Sequence, residues 1–185
     1  PLKSYSAVAE HILRYPGQIS LSGRLAGNGE HSGRGNASAN GLQASTTFNI
    51  TKKLQAFGQF NYGKGIGSYL NDLSNLNVDI VPDPDNEGKM QVLPMLGWYA
   101  GLQYNLCPSI FISGTYSLSR LYSENGYPSE NPESYRKGQY LVANAFWNVS
   151  SNLQVGVEYL RGWRTDFSSA TRHANRLNML VQYSF

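Results

Sequence analysis

Three segments of the chain repeat one pattern, and that pattern predicts a β-hairpin. Residues 48–60, 104–116 and 147–159 align without a gap as aromatic, Asn, aliphatic, three turn residues, aliphatic, any, aliphatic, any, small, polar, aromatic. Alternation with a period of two predicts a strand on each side of a tight polar turn. A soluble sheet has little reason to place an aromatic residue at both ends of each unit. Membrane β-barrels do so, because aromatic side chains settle at the boundary between water and lipid.

The rest of the chain extends this hairpin pattern into a longer sheet. Period-two alternation recurs in eight places, separated by tight turns near 51–53, 107–109 and 149–152 and by long polar segments near 27–40, 63–92, 121–138 and 163–172. Long external loops and short periplasmic turns alternate in this way in transmembrane β-barrels, whose strands cross the bilayer with about 9–11 tilted residues. The predicted fold is therefore all-β: an antiparallel transmembrane β-barrel with about eight strands over 18–185. Residues 1–17 are interpreted as the end of a preceding loop or strand.

Composition excludes several function classes. The net charge of +3 comes from basic residues that form no block, which argues against nucleic-acid binding. Cys107 is the single cysteine, so the chain has no internal disulfide. No apolar run approaches the roughly 18 residues that a transmembrane helix needs.

Some local patterns suggest other chemistry without the surroundings that it needs. The glycine-rich run 63–67 follows a strand but lacks the spacing of a phosphate-binding loop. His173 lies near Ser168 and Asp166, yet nothing in the sequence makes them converge as a catalytic triad. Segment 83–88 resembles a calcium loop, but a bidentate Glu at the proper offset is missing; an exposed acidic loop is the preferred interpretation. We expect no enzyme activity, no cofactor and no metal site.

The face opposite the aliphatic residues is polar, and in a barrel it would line a wet lumen. Gln59 and Glu158 have this parity, and so do four arginines: Arg24, Arg164, Arg172 and Arg176. Guanidinium groups keep their charge and bind carboxylates in a bidentate manner, so these arginines would favour anions in the lumen. The alternative is that arginines near strand ends bind lipopolysaccharide phosphate or loop carboxylates.

Two further features concern the pore and its assembly. The 63–92 segment could fold inward and narrow the lumen, with Tyr69, Asp72 and Asp79 as candidate constriction residues; an external lid is the alternative. The chain ends on Phe185, with Tyr183 on the same face of the last predicted strand. Outer-membrane barrels commonly end in such a strand, which the barrel assembly machinery recognises, so these two aromatics are the predicted assembly signal.

From Leu42 to Phe185 the chain resembles the DcaP-like trimeric outer-membrane porins of Gram-negative bacteria. The resemblance rests on the glycine-rich run 63–73, on 101–104, on Asn144, on 156–162 and on the segment from Asn175 to Phe185. It implies a homotrimer of sixteen-stranded barrels in the bacterial outer membrane, in contact with lipid and lipopolysaccharide, that takes up small anionic solutes such as dicarboxylates. About eight strand patterns are near half of that number, and the N-terminal coiled-coil segment of the family is not found here.

The sequence predicts a porin for passive diffusion of small polar, anionic solutes, and it leaves two alternatives. One is a closed eight-stranded barrel with a structural or adhesive role, whose lumen Phe57, Tyr99, Phe111 and Phe146 would fill. The other is a soluble lipocalin-like or sandwich protein. Pairing between strand 18–26 and strand 176–185 would indicate the closed small barrel, and a gap would indicate part of a larger one.

Overall fold

The computed structural model describes residues 6–11 and 17–25 by their backbone and residues 39–185 in full. Its strands are β1 (Ser6–His11), β2 (Gly17–Leu25), β3 (Asn40–Asn49), β4 (Leu54–Lys64), β5 (Val81–Pro82), β6 (Met90–Gln91), β7 (Pro94–Cys107), β8 (Ile110–Leu121), β9 (Tyr135–Asn148), β10 (Leu153–Asp166) and β11 (Thr171–Tyr183). A short 3-10 helix (Gly67–Tyr69) and helix α1 (Tyr127–Glu130) lie in the connections. No helix in the described ranges has the length and apolar character needed to cross a membrane.

Nine of these strands form one antiparallel sheet in the order β1-β2-β3-β4-β7-β8-β9-β10-β11. The predicted all-β antiparallel fold is confirmed, with one strand more than the eight patterns because β1 lies inside segment 1–17. Strand β2 pairs with β1 on one side and with β3 on the other, so it does not pair with β11. Among the described strands the sheet is open, which contradicts the closed eight-stranded barrel.

The strand register divides the side chains into two faces. The face that we call polar carries Gln43, Gln59, Gln103, Ser113, Asn144, Glu158 and Asn178. The opposite face, called apolar here, carries Leu42, Phe60, Trp98, Leu102, Leu141, Val157 and Met179. Apolar-face side chains remain exposed, up to 81% for Met179. A continuous exposed apolar face of this extent is what a lipid-facing sheet requires.

The aromatic residues of the repeat form two rows on the apolar face. Phe48 pairs with Ala56, and the second aromatic of that copy, Phe60, lies four residues further along β4. The other two copies have the same offset, so the rows are about 13 Å apart along the strands. Only the first row, which consists of Phe48, Tyr104 and Trp147, lies beside the turns. The expectation that both aromatics of each unit mark one boundary is therefore corrected.

The turns of the first and third copies have the same hydrogen bonds. The Thr51 hydroxyl accepts the amide N–H groups of Lys53 and Leu54 at 3.1 and 2.9 Å. The Ser150 hydroxyl accepts those of Asn152 and Leu153 at 3.3 and 3.1 Å. The middle copy closes over Pro108 and Ser109, with a register shift between Asn105 and Cys107.

Equivalent turn residues also connect each hairpin to the next strand. The carbonyl oxygens of Lys53, Ser109 and Asn152 accept amide N–H groups from Asn105, Asn148 and Ser184 at 2.8–2.9 Å. The repeat therefore specifies both the hairpins and the way in which they join.

The connections at the other end of the sheet contain most of the buried apolar core. Residues 65–93 and 122–134 are the long connections there, and residues 26–38 lie outside the described part. Together with the adjoining strand ends they form a core of Ile66, Leu70, Leu73, Val78, Val81, Leu93, Met95, Leu121, Tyr127 and Tyr135, with Phe167 packed against it.

The predicted long loop at 163–172 is corrected to a four-residue connection, 167–170. Here β10 and β11 continue as a ladder through polar residues. Thr165 pairs with Thr171, and their hydroxyl oxygens are 3.1 Å apart. Polar composition indicated a loop, but cross-strand hydrogen bonds and ion pairs keep this segment extended.

Candidate functional site: the polar face and its inward loop

The 65–93 connection folds onto the polar face, and Asp72 anchors it there. The Asp72 carboxylate accepts hydrogen bonds from the hydroxyls of Tyr135 at 2.9 Å, Tyr140 at 2.7 Å and Ser119. Tyr140 and Ser119 belong to the polar-face positions of β9 and β8. The loop thus narrows the polar side of the sheet.

Leu70 and Gly97 provide a second anchor for the same loop. Gly97 is a polar-face position of β7, and a Cβ atom there would overlap the Leu70 side chain. Leu70 is buried in this contact. The absence of a side chain at residue 97 therefore lets the loop approach the strand closely.

The other two candidate constriction residues have different surroundings. The Asp79 carboxylate accepts hydrogen bonds from the Gly67 amide and, at 2.7 Å, from the Ser68 hydroxyl, so it orders the start of the loop. Tyr69 is 53% exposed. Asp72 thus joins the loop to the strands, whereas the hydrogen bonds of Asp79 lie within the loop.

Three of the predicted arginines lie on the polar face, and two of them surround a buried carboxylate. Arg164 and Arg172 are directly opposite each other on β10 and β11. Arg164 Nε lies 2.9 Å from Asp166 Oδ1, and Arg172 Nη1 lies 3.1 Å from Asp166 Oδ2. The Asp166 side chain is 1% exposed, whereas those of Arg164 and Arg172 are 46% and 69% exposed. The exposed charge of this group is therefore cationic.

The next charges along the face belong to Arg176 and Glu158. Arg176 Nε donates to Asn178 Oδ1 at 2.7 Å, and Asn178 Nδ2 donates to Glu158 Oε1 at 2.7 Å. Asn178 therefore connects the two charged groups without a direct ion pair.

The remaining predicted lumen residues are Gln59 and Arg24. Gln59 lies on the polar face, where its side chain donates to Asn61 at 3.4 Å. Arg24 is opposite Gly41 in the backbone register of β2, and its side chain is outside the described part.

The sequence did not single out Tyr135, Tyr140 and Ser119 as partners of Asp72. The alternation of β9 was enough to assign Tyr140 to the polar face. Its hydrogen bond to Asp72 spans 68 residues of sequence, and no local sequence pattern indicates such a contact. The buried acceptor Asp166 was noticed only as a neighbour of His173. Its spacing of two residues from Arg164 is the signal that could have indicated their pairing.

In the acidic segment 83–88, the Asp83 carboxylate accepts several hydrogen bonds. Asp83 accepts the Asp85 amide at 3.0 Å, Asn86 Nδ2 at 2.9 Å and Asn125 Nδ2 at 3.3 Å. Reduced hydration opposes ionisation, but these hydrogen bonds outweigh it and hold the pKa of Asp83 below its ordinary value. Within the described residues, no group of three or more His, Cys, Asp or Glu side chains could hold a metal ion.

The fold is similar to those of two solved proteins, an outer membrane channel and a porin. The outer membrane channel DcaP of Acinetobacter baumannii superposes with a TM-score of 0.70 and 16% sequence identity, over 97% of this chain and 62% of that one. The NanC porin superposes with a TM-score of 0.55 and 10% identity, over 97% of this chain and 78% of that one. A search of family models found no match. A search of curated protein sequences found none either.

These likenesses establish the fold. The chain has the strand arrangement of an outer-membrane porin barrel, and it spans 62% of the length of the DcaP channel. The predicted resemblance to DcaP-like porins is confirmed at this level. The soluble lipocalin-like or sandwich alternative loses its support, because nine of the described strands form one open sheet whose apolar face is exposed.

Proposed function

We propose that the protein forms part or all of an outer-membrane porin through which small polar solutes diffuse passively. The observation that carries this proposal is the division of one sheet into an exposed apolar face and a polar face onto which the 65–93 loop folds. In a barrel the apolar face meets lipid, and the polar face lines a water-filled lumen narrowed by the loop.

The free edges of β1 and β11 require further strands. Unpaired backbone groups cost several kcal/mol each in lipid, so a membrane sheet must close. Strands from sequence beyond these 185 residues, or from another copy, would complete the barrel. A sixteen-stranded barrel assembled as a homotrimer is the arrangement that the family resemblance implies.

The arginines make small anions the preferred solutes. Arg164, Arg172 and Arg176 present exposed guanidinium groups, while Asp166 is buried beneath two of them. Glu158 and Asp72 reduce the net charge, so we expect a moderate preference and not strict selection. Dicarboxylates fit this arrangement because their two ends can each meet a guanidinium group.

The test compares two neighbouring arginines on opposite faces. Arg176 pairs with Leu160 on the polar side, and Arg161 pairs with Asn175 on the apolar side. In planar bilayers with a salt gradient, Arg176→Gln should lower the anion-to-cation permeability ratio roughly fourfold. One unit charge at about 10 Å in water changes the energies of an anion and of a cation by about 0.4 kcal/mol in opposite directions, which is about twofold for each ion.

Arg161→Gln is the matched control and should leave the reversal potential unchanged. Combining Arg172→Gln with Arg176→Gln should enlarge the shift. An unchanged reversal potential in the double variant would contradict the anion preference, and absence of channels from the purified protein would contradict the porin itself.

A further inference from the structure

Every charged side chain on the apolar face of the fully described strands is basic. The cations on this face are Lys64, Arg120, Lys137 and Arg161, all toward the loop end, and no Asp or Glu shares the face between residues 40 and 183. We infer that this end of the apolar face binds the phosphate groups of membrane lipids, with Arg120 and Lys137 at the centre of the site. The inference rests on the proposed membrane location.

Arg120 and Lys137 are direct cross-strand neighbours. They face each other in the register of β8 and β9, where opposing side chains have Cβ atoms about 4.5–5.5 Å apart. Two like charges at this distance destabilise a sheet unless an anion lies between them. The ion pairs among residues 39–185 are Lys64–Glu124, Arg164–Asp166 and Arg172–Asp166, so neither member of the pair has a carboxylate partner there.

The Arg120 side chain packs against an aromatic ring and has an Nε–H group without an acceptor. Its guanidinium carbon lies 4.6 Å from the centre of the Tyr122 ring. Its Nε atom is buried and has no hydrogen-bond acceptor. An added ligand cannot reach this buried atom, so a phosphate would use the terminal NH2 groups of the guanidinium, whose side chain is half-buried as a whole.

The position of the pair suits a lipid headgroup. Arg120 lies four residues beyond Tyr116, which belongs to the second aromatic row, and thus at the loop-end border of the apolar band. Thr165 lies opposite Lys137 on β10 and adds a hydroxyl. A phosphate there could receive bidentate hydrogen bonds from the guanidinium and one from the ammonium, while its acyl chains cover the apolar face below.

The neighbouring cations differ in their availability. Lys64 Nζ is 2.7 Å from Glu124 Oε1, which neutralises it. The Arg161 guanidinium carbon lies 5.2 Å from the centre of the Trp163 ring. Arg161 also lies four residues further from the loop end than Thr165, which is opposite Lys137. The Arg120–Lys137 pair is therefore the strongest unneutralised charge on this face.

Lipid binding to the full protein in neutral detergent tests the inference. The probe is diphosphoryl lipid A, with the same glycolipid stripped of its phosphates and inorganic phosphate as comparison ligands. Binding is counted by native mass spectrometry. Each cation near an anionic lipid contributes about fivefold in affinity, so Arg120→Gln and Lys137→Gln should each weaken lipid A binding about fivefold, and the double variant about 25-fold.

Lys52→Gln combined with Lys53→Gln is the control. It removes the same charge from the exposed turn at the opposite end of the sheet and should leave the affinity within twofold. Unchanged affinity in both single variants and the double variant would overturn the inference. Equal binding of the dephosphorylated glycolipid, or displacement of lipid A by equimolar inorganic phosphate, would overturn it too.

Conductance separates this inference from the proposed function. The pair lies on the apolar side, so the double variant should conduct like the unmodified protein. Normal conductance with unchanged lipid affinity would refute the lipid site and leave the porin intact. Failure of the unmodified protein to conduct would refute the porin, whatever the lipid result.

Discussion

Glycines on the polar face lie opposite aromatic residues of neighbouring strands. A Cβ atom on Gly101 would lie 2.5 Å from Phe57 Cζ, and one on Gly156 would lie 2.6 Å from Phe146 Cδ1. Each ring thus lies along the sheet over a glycine and does not project straight out. Parity alone assigned these aromatics to filling a small closed barrel. In the structure the sheet is open, and these rings pack against neighbouring strands of the same sheet.

Gly63 should be the least tolerant of these small residues. Its added Cβ would overlap the Asn40 carbonyl oxygen and lie 2.5 Å from Gly41 Cα, and backbone atoms cannot give way as a flexible side chain can. Gly63→Ala should lower the free energy of unfolding by about 1–3 kcal/mol, measured by urea titration of the refolded protein in vesicles. At Gly114 the nearest atom would be 3.9 Å away, so Gly114→Ala should be neutral or slightly stabilising. Equal effects would contradict the overlap.

At the scale of elements, the repeated hairpin predicted its own turns well. Alternation and turn residues located β3–β4, β7–β8 and β9–β10, because these depend on contacts close in sequence. The β10–β11 connection was mispredicted because its polar residues are satisfied by cross-strand partners such as Arg172 and Asp166. The path of the 65–93 loop could not be predicted, since the hydroxyl groups that donate hydrogen bonds to Asp72 lie 47 to 68 residues away in sequence.

The hydroxyl at the start of the first and third turns should contribute measurably to stability. Ser150→Ala removes the acceptor of two backbone N–H groups and should cost about 1 kcal/mol of unfolding free energy in the same urea assay. Thr51→Ala should cost a similar amount. Cys107→Ala, at the equivalent position of the middle copy, should cost less because sulfur is a weak acceptor. A larger loss at Cys107 than at Ser150 would argue against a stabilising role of the hydroxyl.

Asp72 should control how firmly the loop narrows the lumen. Asp72→Ala removes the carboxylate that the hydroxyls of Ser119, Tyr135 and Tyr140 share as an acceptor and that joins the loop to the strands, so we expect larger and noisier single-channel currents. Glu87→Ala makes the same charge change at an exposed position of the same loop and should leave the currents unaltered. Quiet currents of unchanged size in Asp72→Ala would mean that the loop does not depend on this anchor.

At the scale of the whole molecule, the two-faced sheet is the feature that unites the observations. The period of two in the sequence was enough to predict both faces, because side-chain alternation is a property of any strand. Closure was not predictable in this way, since pairing of the β1 and β11 edges depends on strands far away in sequence or outside these residues. The arginines could be assigned to a face, but their pairing with the buried Asp166 needed the structure.

The central claim is that the polar face meets water while the apolar face meets lipid, and paired single cysteines test it most directly. In a Cys107→Ser background, a cysteine replaces either Gln103 or its neighbour Leu102 on β7, which point to opposite faces. The protein is placed in vesicles, each cysteine is probed with a membrane-impermeant thiol reagent, and a fluorophore attached there is exposed to quenching by brominated lipid. We expect position 103 to react with the reagent and escape quenching, and position 102 to be quenched and react slowly. The reverse pattern, or equal behaviour at both positions, would contradict the account.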